Sequence, residues 1–466
     1  MAEPRRSIRS SMVLLAAGLL AAMTLAGGVA SAQTLTEALA YAYSNNPQLL
    51  AQRAALRAID EDVPQALSGW RPTVSLNANG GITRGAFAGT GVPTAYSTFT
   101  TRDVDLQVTQ PVYNGGRTEA QTRQAINNVQ AARAQTLAVE TTVFQAVAQA
   151  FFDVVRDQTL VDVNRENETA LQKQLQGTEE RFRVGEVTRT DVAQSESSYA
   201  QAKANRIAAE GQLEVSRANY TRAVGHPPGR LVMPRERPVL PATREEALSL
   251  ATHNNANVIA ATFTELAARD NIDQIRDQLL PQVSIVANAL RDYAPSITLQ
   301  TSREDEASVV AQVTVPLYEG GNIYSQTRQA EQTFGQRRSQ VDDARQAAVQ
   351  SASQAWDTLN SAHAAIASFA VAVKAAKIAV AGEQEQALVG TATVLDVLLS
   401  EQQLYTTESQ LVGAQHDDAV AEFNLTAAIG RLIAPELHLP VQLYDMERHY
   451  KAVKDKWIGF RGGLSE

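Results

Sequence analysis

The sequence predicts a mainly α-helical chain with a membrane β-barrel portion, made of a duplicated unit of long coiled-coil-like helices plus two β-hairpins. Three observations predict it. The same motifs recur at a nearly constant spacing. Proline is absent from residue 112 to 226 and again from 317 to 434, leaving runs of helix formers far longer than an ordinary globular helix. Ahead of each run lie short segments that alternate apolar and polar residues with period two.

Composition limits the function classes. With 466 residues, 44% of them hydrophobic, the chain can pack a core, so disorder is excluded. Length alone suggests about three domains. The absence of cysteine excludes disulfides, Cys-ligated metals, thiol catalysis and a lipid-modified N-terminal Cys. A formal net charge of −9 argues against nucleic acid as a partner.

Residues 1–32 read as an export address. Arg5, Arg6 and Arg9 precede an apolar stretch from Met12 to Leu25, and Ala30-Ser31-Ala32 offers a small-residue cleavage site. No uninterrupted apolar run of 18 residues follows, so no later transmembrane helix is expected.

The remainder reads as one unit written twice, 33–239 and 240–434, with a tail at 435–466. Gln121 to Ala125 recurs as Gln326 to Ala330, a shift of 205, and Pro111-Val112-Tyr113-Asn114-Gly115-Gly116 aligns with Pro316-Leu317-Tyr318-Glu319-Gly320-Gly321. Near the start the shift is 209, pairing Asn45-Asn46 with Asn254-Asn255 and Pro72 with Pro281. In each unit a short helix comes first (Leu35 to Ser44; Arg244 to His253), then a longer one (Pro47 to Leu67; Val258 to Leu279). Pro72 and Pro281 stop the longer helices and begin extended chain. Hairpins are expected at about 72–112 and 281–316, with Val74, Leu76, Ala78 and Val104, Leu106, Val108 on one face. The Gly-rich connection Gly80 to Tyr96 reads as an exposed loop. Long helices follow at about 117–225 and 321–430. Phe144, Val147, Phe151, Val154 and Val161 form a coiled-coil seam. A helix from Arg117 to Phe182 would be about 100 Å long, so it must pack lengthwise against other helices.

Two hairpins supply four strands per chain, whereas closed barrels need about eight. An open four-stranded sheet leaves unsatisfied edges that lipid does not tolerate. Either the sheet is a soluble side feature, or several chains pool strands into one barrel with a polar interior. Tyr96, Phe99 and Tyr293 fall near strand ends, where an aromatic girdle would sit.

This order of elements resembles the TolC family of outer-membrane efflux and secretion channels. The residues that carry the likeness are Leu35-Thr36-Glu37-Ala38-Leu39 with Asn46-Pro47, Pro111 to Gly116, and two Val-Gly-x-x-Thr-x-x-Asp-Val turns; together they cover residues 34 to 434. The tail, with Leu443-Tyr444-Asp445 and Lys456-Trp457, looks like members that serve type I protein secretion. The resemblance implies a homotrimer that forms a 12-stranded barrel in outer-membrane lipid and a 12-helix periplasmic tunnel. It implies an exit duct of a tripartite export system, for type I protein secretion, multidrug efflux or both. The implied partners are a periplasmic adaptor (membrane fusion protein) and an inner-membrane ABC or proton-driven transporter. No catalysis and no cofactor are implied.

The turns from Val184 to Val192 and Val389 to Val397 are the candidate site. Gly185 and Gly390 suit the left-handed position after a helix, and Thr188 with Asp191, like Thr393 with Asp396, suits a cap on the next helix. The resemblance adds two roles. Val184, Gly185, Thr188, Val192, Val389, Gly390, Thr393 and Val397 become tips that dock the adaptor. Asp396 and Leu399 become a periplasmic gate, with Thr190 and Asp191 as partners on the neighbouring turn. Leu399 and Ala392 depart from the polar residues that well-known members carry, so a Leu399 ring is expected to replace some polar ties.

An enzyme is not expected, because the six histidines have no metal-binding spacing and no nucleophile or phosphate-loop motif is present. The rival reading is a periplasmic or surface coiled-coil scaffold without a pore. It leaves the amphipathic hairpins unexplained.

Overall fold

The computed structural model describes residues 33–89, 92–234, 237–296 and 301–460. The export address at 1–32 lies outside them, as does the Phe99 side chain. The elements are α1 (Leu35–Asn45), α2 (Pro47–Asp60), α3 (Asp62–Leu67), β1 (Thr73–Gly89), β2 (Val92–Asn114), α4 (Arg117–Arg183) and α5 (Arg189–Val224). Then come α6 (Arg244–Asn254), α7 (Ala256–Arg276), β3 (Gln282–Ser296), β4 (Thr301–Thr314), α8 (Asn322–Leu388), α9 (Val394–Ala428) and α10 (Arg448–Val453).

Local chemistry sets most boundaries. Thr34 and Glu37 form a reciprocal cap on α1, each accepting the other's backbone N–H at 3.2 Å. Asn46 ends α1 and caps α2 by accepting from the Gln48 N–H at 2.9 Å, ahead of Pro47 at the first helical position. Asn255 does the same for α7 through Asn257. The helix expected from Pro47 to Leu67 is broken at Glu61. Pro64 has no N–H for the carbonyl four residues back, and its ring crowds that carbonyl.

Helices α4 and α8 have 67 residues each, about 100 Å at 1.5 Å per residue. Helix α4 packs along α5, α7 and α9, while α8 packs along α9, α7 and α6. The five seam residues of α4 are all buried. They pack with Leu35 and Leu39 of α1, Tyr220 and Val224 of α5, and Phe423 and Ala427 of α9. The tail folds back over this layer: the Tyr43 hydroxyl accepts the Tyr444 N–H at 2.9 Å, and His449 Nδ1 lies 3.1 Å from the buried Asp60 carboxylate. His449 is a packing residue.

A half-buried ion pair ties α4 to α9. His416 Nε2 lies 2.8 Å from Asp153 and its Nδ1 lies 2.9 Å from Asp417, so both ring nitrogens face carboxylates. Burial disfavours both charges, but the hydrogen bonds and opposite charges outweigh it, raising His416 above 6.5 and lowering Asp153 below 3.8. A raised His contributes stability that is present below 6.5 and lost as pH rises through its folded value. A lowered Asp contributes stability present above 3.8 and lost as pH falls. The pair therefore stabilises most between those limits. His416→Gln should flatten the fall in melting temperature on the alkaline side; an unchanged pH profile by circular dichroism would refute the assignment.

The sheet has order β1-β2-β3-β4, all antiparallel, with β1 and β4 as open edges. One face carries the row Val74, Val108, Ala287, Val309 and the row Leu76, Leu106, Ala289, Ala307. The other carries Asn77, Asp105, Leu290, Glu306 and Asn79, Asp103, Asp292, Glu304. The loop expected from Gly80 to Tyr96 is corrected: β1 pairs with β2 through Phe87 and again at Gly89 with Val92. Gly80 and Gly85 weaken the alternation that marks a strand, yet their backbones complete the ladder, which is set by the opposite strand.

By length and composition alone, an 18-residue stretch of α8 is apolar enough to cross a bilayer, and 17% of it is buried. Lys374 and Lys377 interrupt the apolar part of α8, so it is not the unbroken run of 18 that the sequence lacks. Val371 and Ile378 of α8 are exposed.

Candidate functional site

The two turns share one backbone design. After α4, Gly185 takes φ +82°, and Glu186 N–H donates to the Arg181 carbonyl at 2.9 Å. After α8, Gly390 takes φ +79°, and Thr391 N–H donates to the Gln386 carbonyl at 2.9 Å. Both are glycine-closed helix ends that satisfy otherwise orphaned carbonyls. Thr188 N–H donates to Asp191 Oδ2 at 2.8 Å, and Thr393 N–H to Asp396 Oδ2 at 2.9 Å. The Asp191 and Asp396 N–H groups return bonds to the Thr hydroxyls at 3.3 and 3.2 Å.

The turns differ in what they present. Val184 is 71% exposed and Val389 75%, next to exposed Phe182 and Leu388. Gly185 and Gly390 have open space where a Cβ would stand. Thr188, Thr190 and Thr393 are exposed, while Val192 and Asp191 are half-buried. Val397 does not belong with the tips: it is 1% exposed. Helix α9 turns that side inward, where Val394 and Leu398 join Leu171 and Ala202 in a cluster that locks the two helix pairs together.

On the opposite side of α9, Leu395, Asp396 and Leu399 are all exposed, with Leu399 one turn on from the first two. Hydrogen bonds from the Thr393 hydroxyl and N–H hold the Asp396 carboxyl below the usual carboxylate range. Among the described residues no hydrogen bond joins Asp396 to Thr190 or Asp191. Sequence reasoning missed Glu401. It is buried, accepts from Gln384 Nε2 at 3.1 Å, and burial raises its pKa. It lines a cleft of about 520 Å³ with Arg165 and Lys173 of α4. Its copy in the first unit, Glu196, is exposed, so the repeat gave no sign of it.

Two observations connect the chain to known proteins. The chain matches the outer membrane efflux protein model over residues 38–226 and 247–431. It is also 35% identical over 454 residues to the outer membrane efflux protein BepC of Brucella suis, covering 96% of each chain.

The chain belongs to the outer membrane efflux protein family.

Other members of the outer membrane efflux protein family lie further off in sequence. The outer membrane protein TolC of Vibrio cholerae is 28% identical over 86% of this chain and 91% of its own length. The alkaline protease secretion protein AprF of Pseudomonas aeruginosa is 24% identical over 63% of this chain and 62% of its own. The fold agrees with the CmeC outer membrane channel of Campylobacter jejuni at a TM-score of 0.77 and 14% identity, covering 90% of this chain and 89% of that one.

Proposed function

We propose that three copies of this chain form the outer-membrane exit duct of a tripartite export system. One observation carries the reading: an open four-stranded sheet with an apolar face, an acidic face and two free edges. Such a sheet is not stable alone in lipid, because the edge N–H and C=O groups of β1 and β4 have no partner there. Three chains would pair β4 of one with β1 of the next and close twelve strands, apolar side to lipid and acidic side to the lumen. The exposed apolar side of α8 gains a partner in the same assembly, where four long helices per chain give a tunnel of twelve. Residues 1–32 act as a cleaved signal peptide, and the unit 33–239 and its copy 240–434 supply equal shares of barrel and tunnel.

In this arrangement both turns lie at the periplasmic end, furthest from the barrel. Asp396 and Leu399 ring the opening, with Thr190 and Asp191 on the neighbouring turn. Val184, Gly185, Thr188, Val389, Gly390 and Thr393 form the surface that a periplasmic adaptor docks on, and an ABC or proton-driven pump in the inner membrane supplies the energy. The traffic is type I protein secretion, multidrug efflux or both, since the relatives include the efflux protein BepC and the alkaline protease secretion protein AprF.

The test is a pair of tip variants in cells that lack the native channel. Gly185→Leu and Gly390→Leu should accumulate as heat-resistant trimers in the outer-membrane fraction, like wild type, yet lose export by about tenfold or more, since a bulky side chain blocks close helix approach. A monomer in the soluble periplasmic fraction would refute the channel reading; trimers that export at wild-type levels would refute tip docking.

A further inference from the structure

We infer that the outward face of the sheet carries a phosphate-binding belt for the headgroup of an anionic outer-leaflet lipid, built from Arg102, Arg291 and Arg303 with Arg84 at its rim. The inference rests on the barrel reading above, which sets the apolar face toward lipid. The strands join the helices at one end, so the hairpin ends lie furthest from the periplasm.

Pairing places the arginines. The apolar band rises through Val74, Val108, Ala287 and Val309, then Leu76, Leu106, Ala289 and Ala307. On the next row toward the hairpin ends, Ala78 and Val104 align with Arg291 and Asp305. One row further, Arg102, Tyr293 and Arg303 stand side by side on β2, β3 and β4. Arg84 lies two rows beyond on β1, with its guanidinium 5.4 Å from the Tyr96 ring centre. The positive side chains thus begin where the apolar rows stop, accompanied by two tyrosines. That is the depth at which lipid headgroups meet a barrel.

Charge is sorted by face. At these heights the concave face holds Asp103, Asp105, Asp292, Glu304 and Glu306, and no Arg or Lys among the described residues of its rows. The outward face holds four arginines and one acid. Asp305 pairs with Arg291 and with Arg303, both at 2.6 Å, and so neutralises one charge of the two. Arg291 and Arg303 remain about half exposed. Arg102 is exposed and has no hydrogen bond or ion pair among the described residues. One arginine from each of the four strands, with a surplus of positive charge and planar guanidinium donors, matches phosphate oxygens on a lipid headgroup. Scattered solubilising charge would not segregate by face in this way.

The test uses the full-length trimer reconstituted in phosphatidylcholine vesicles containing bisphosphorylated lipid A or the same lipid with its phosphates removed. After detergent extraction, native mass spectrometry counts retained lipid A. Wild-type trimers should retain the phosphorylated form preferentially, and 10 mM-range inorganic phosphate, on the order of cellular levels, should not displace it, because acyl chains anchor the headgroup. Arg102→Gln with Arg303→Gln should reduce retention by about tenfold or more. Arg84→Gln with Arg102→Gln leaves the Asp305 pairs intact and should reduce it at least about fivefold. Asp103→Asn on the concave face should retain lipid A like wild type. Equal retention of the two lipids by wild type, loss to free phosphate, or undiminished retention in both folded double variants would overturn the belt. Failure to form trimers in any vesicle would instead refute the barrel reading.

Discussion

Asp396→Ala is expected to raise single-channel conductance in planar bilayers and to lower the preference for potassium over chloride by about twofold or more. The expectation follows from the cap on α9. Thr393 lowers the Asp396 pKa, so the side chain is ionised at neutral pH. It is exposed on the same side as Leu399, away from the buried cluster of Val394 and Leu398. Three such carboxylates around one axis attract cations and repel anions. Alanine also removes the helix cap, so Asp396→Asn is the sharper probe: asparagine keeps an acceptor for the Thr393 N–H and loses only the charge. Asn should reproduce the change in selectivity. Leu399→Ser should raise conductance while leaving selectivity alone, because it removes a side chain and no charge. Unchanged selectivity in both Asp396 variants would remove Asp396 from the constriction.

Gly430→Ala is expected to be strongly destabilising, because its Cβ would make the tightest backbone clash among the described glycines. Gly430 follows α9 with φ +75°, closing it through its own N–H to Ala427 and the Arg431 N–H to Thr426, both at 3.0 Å. A Cβ there would stand 2.4 Å from the Asn254 carbonyl oxygen and 2.7 Å from its carbon, where α6 gives way to α7. Left-handed backbone costs a non-glycine about 1–2 kcal/mol. Displacing a packed backbone adds roughly 1–3 kcal/mol. Gly225 holds the matching place after α5, with φ +109°, but there the Cβ meets only Tyr41 Cε1 at 3.3 Å. Gly225→Ala should therefore cost little beyond the backbone strain. Thermal melting of the two variants checks this; equal losses would show that the Asn254 contact is not what matters.

Much of the helical plan was legible because its signals are local. Thr34 with Glu37, Asn46 with Pro47, and the paired Thr-x-x-Asp caps each act within four residues, and the structure forms every one. The Phe144 to Val161 seam depends only on helical periodicity and is buried throughout. The misreadings share a different cause. Gly80 to Tyr96 looked like a loop because glycine erases the pattern of faces, while the hydrogen bonds that make it strand come from the partner strand. Val397 belongs to the turn motif, but it lies on a buried stretch of α9, beside Val394 and Leu398, and is 1% exposed. Glu401 could not be distinguished from exposed Glu196, since burial depends on which helix lies alongside.

The duplicated plan, the helix ends and the two glycine turns follow from local chemistry, because caps, proline stops and left-handed glycines are set by neighbours in the chain. Which side of each element is buried, how far the strands run and which charges share a face follow only from folding. Those depend on contacts between segments hundreds of residues apart. It is the pairing of β2 with β3 that aligns Arg102 with Tyr293, and Tyr293 with Arg303 on β4, with the acids facing the other way.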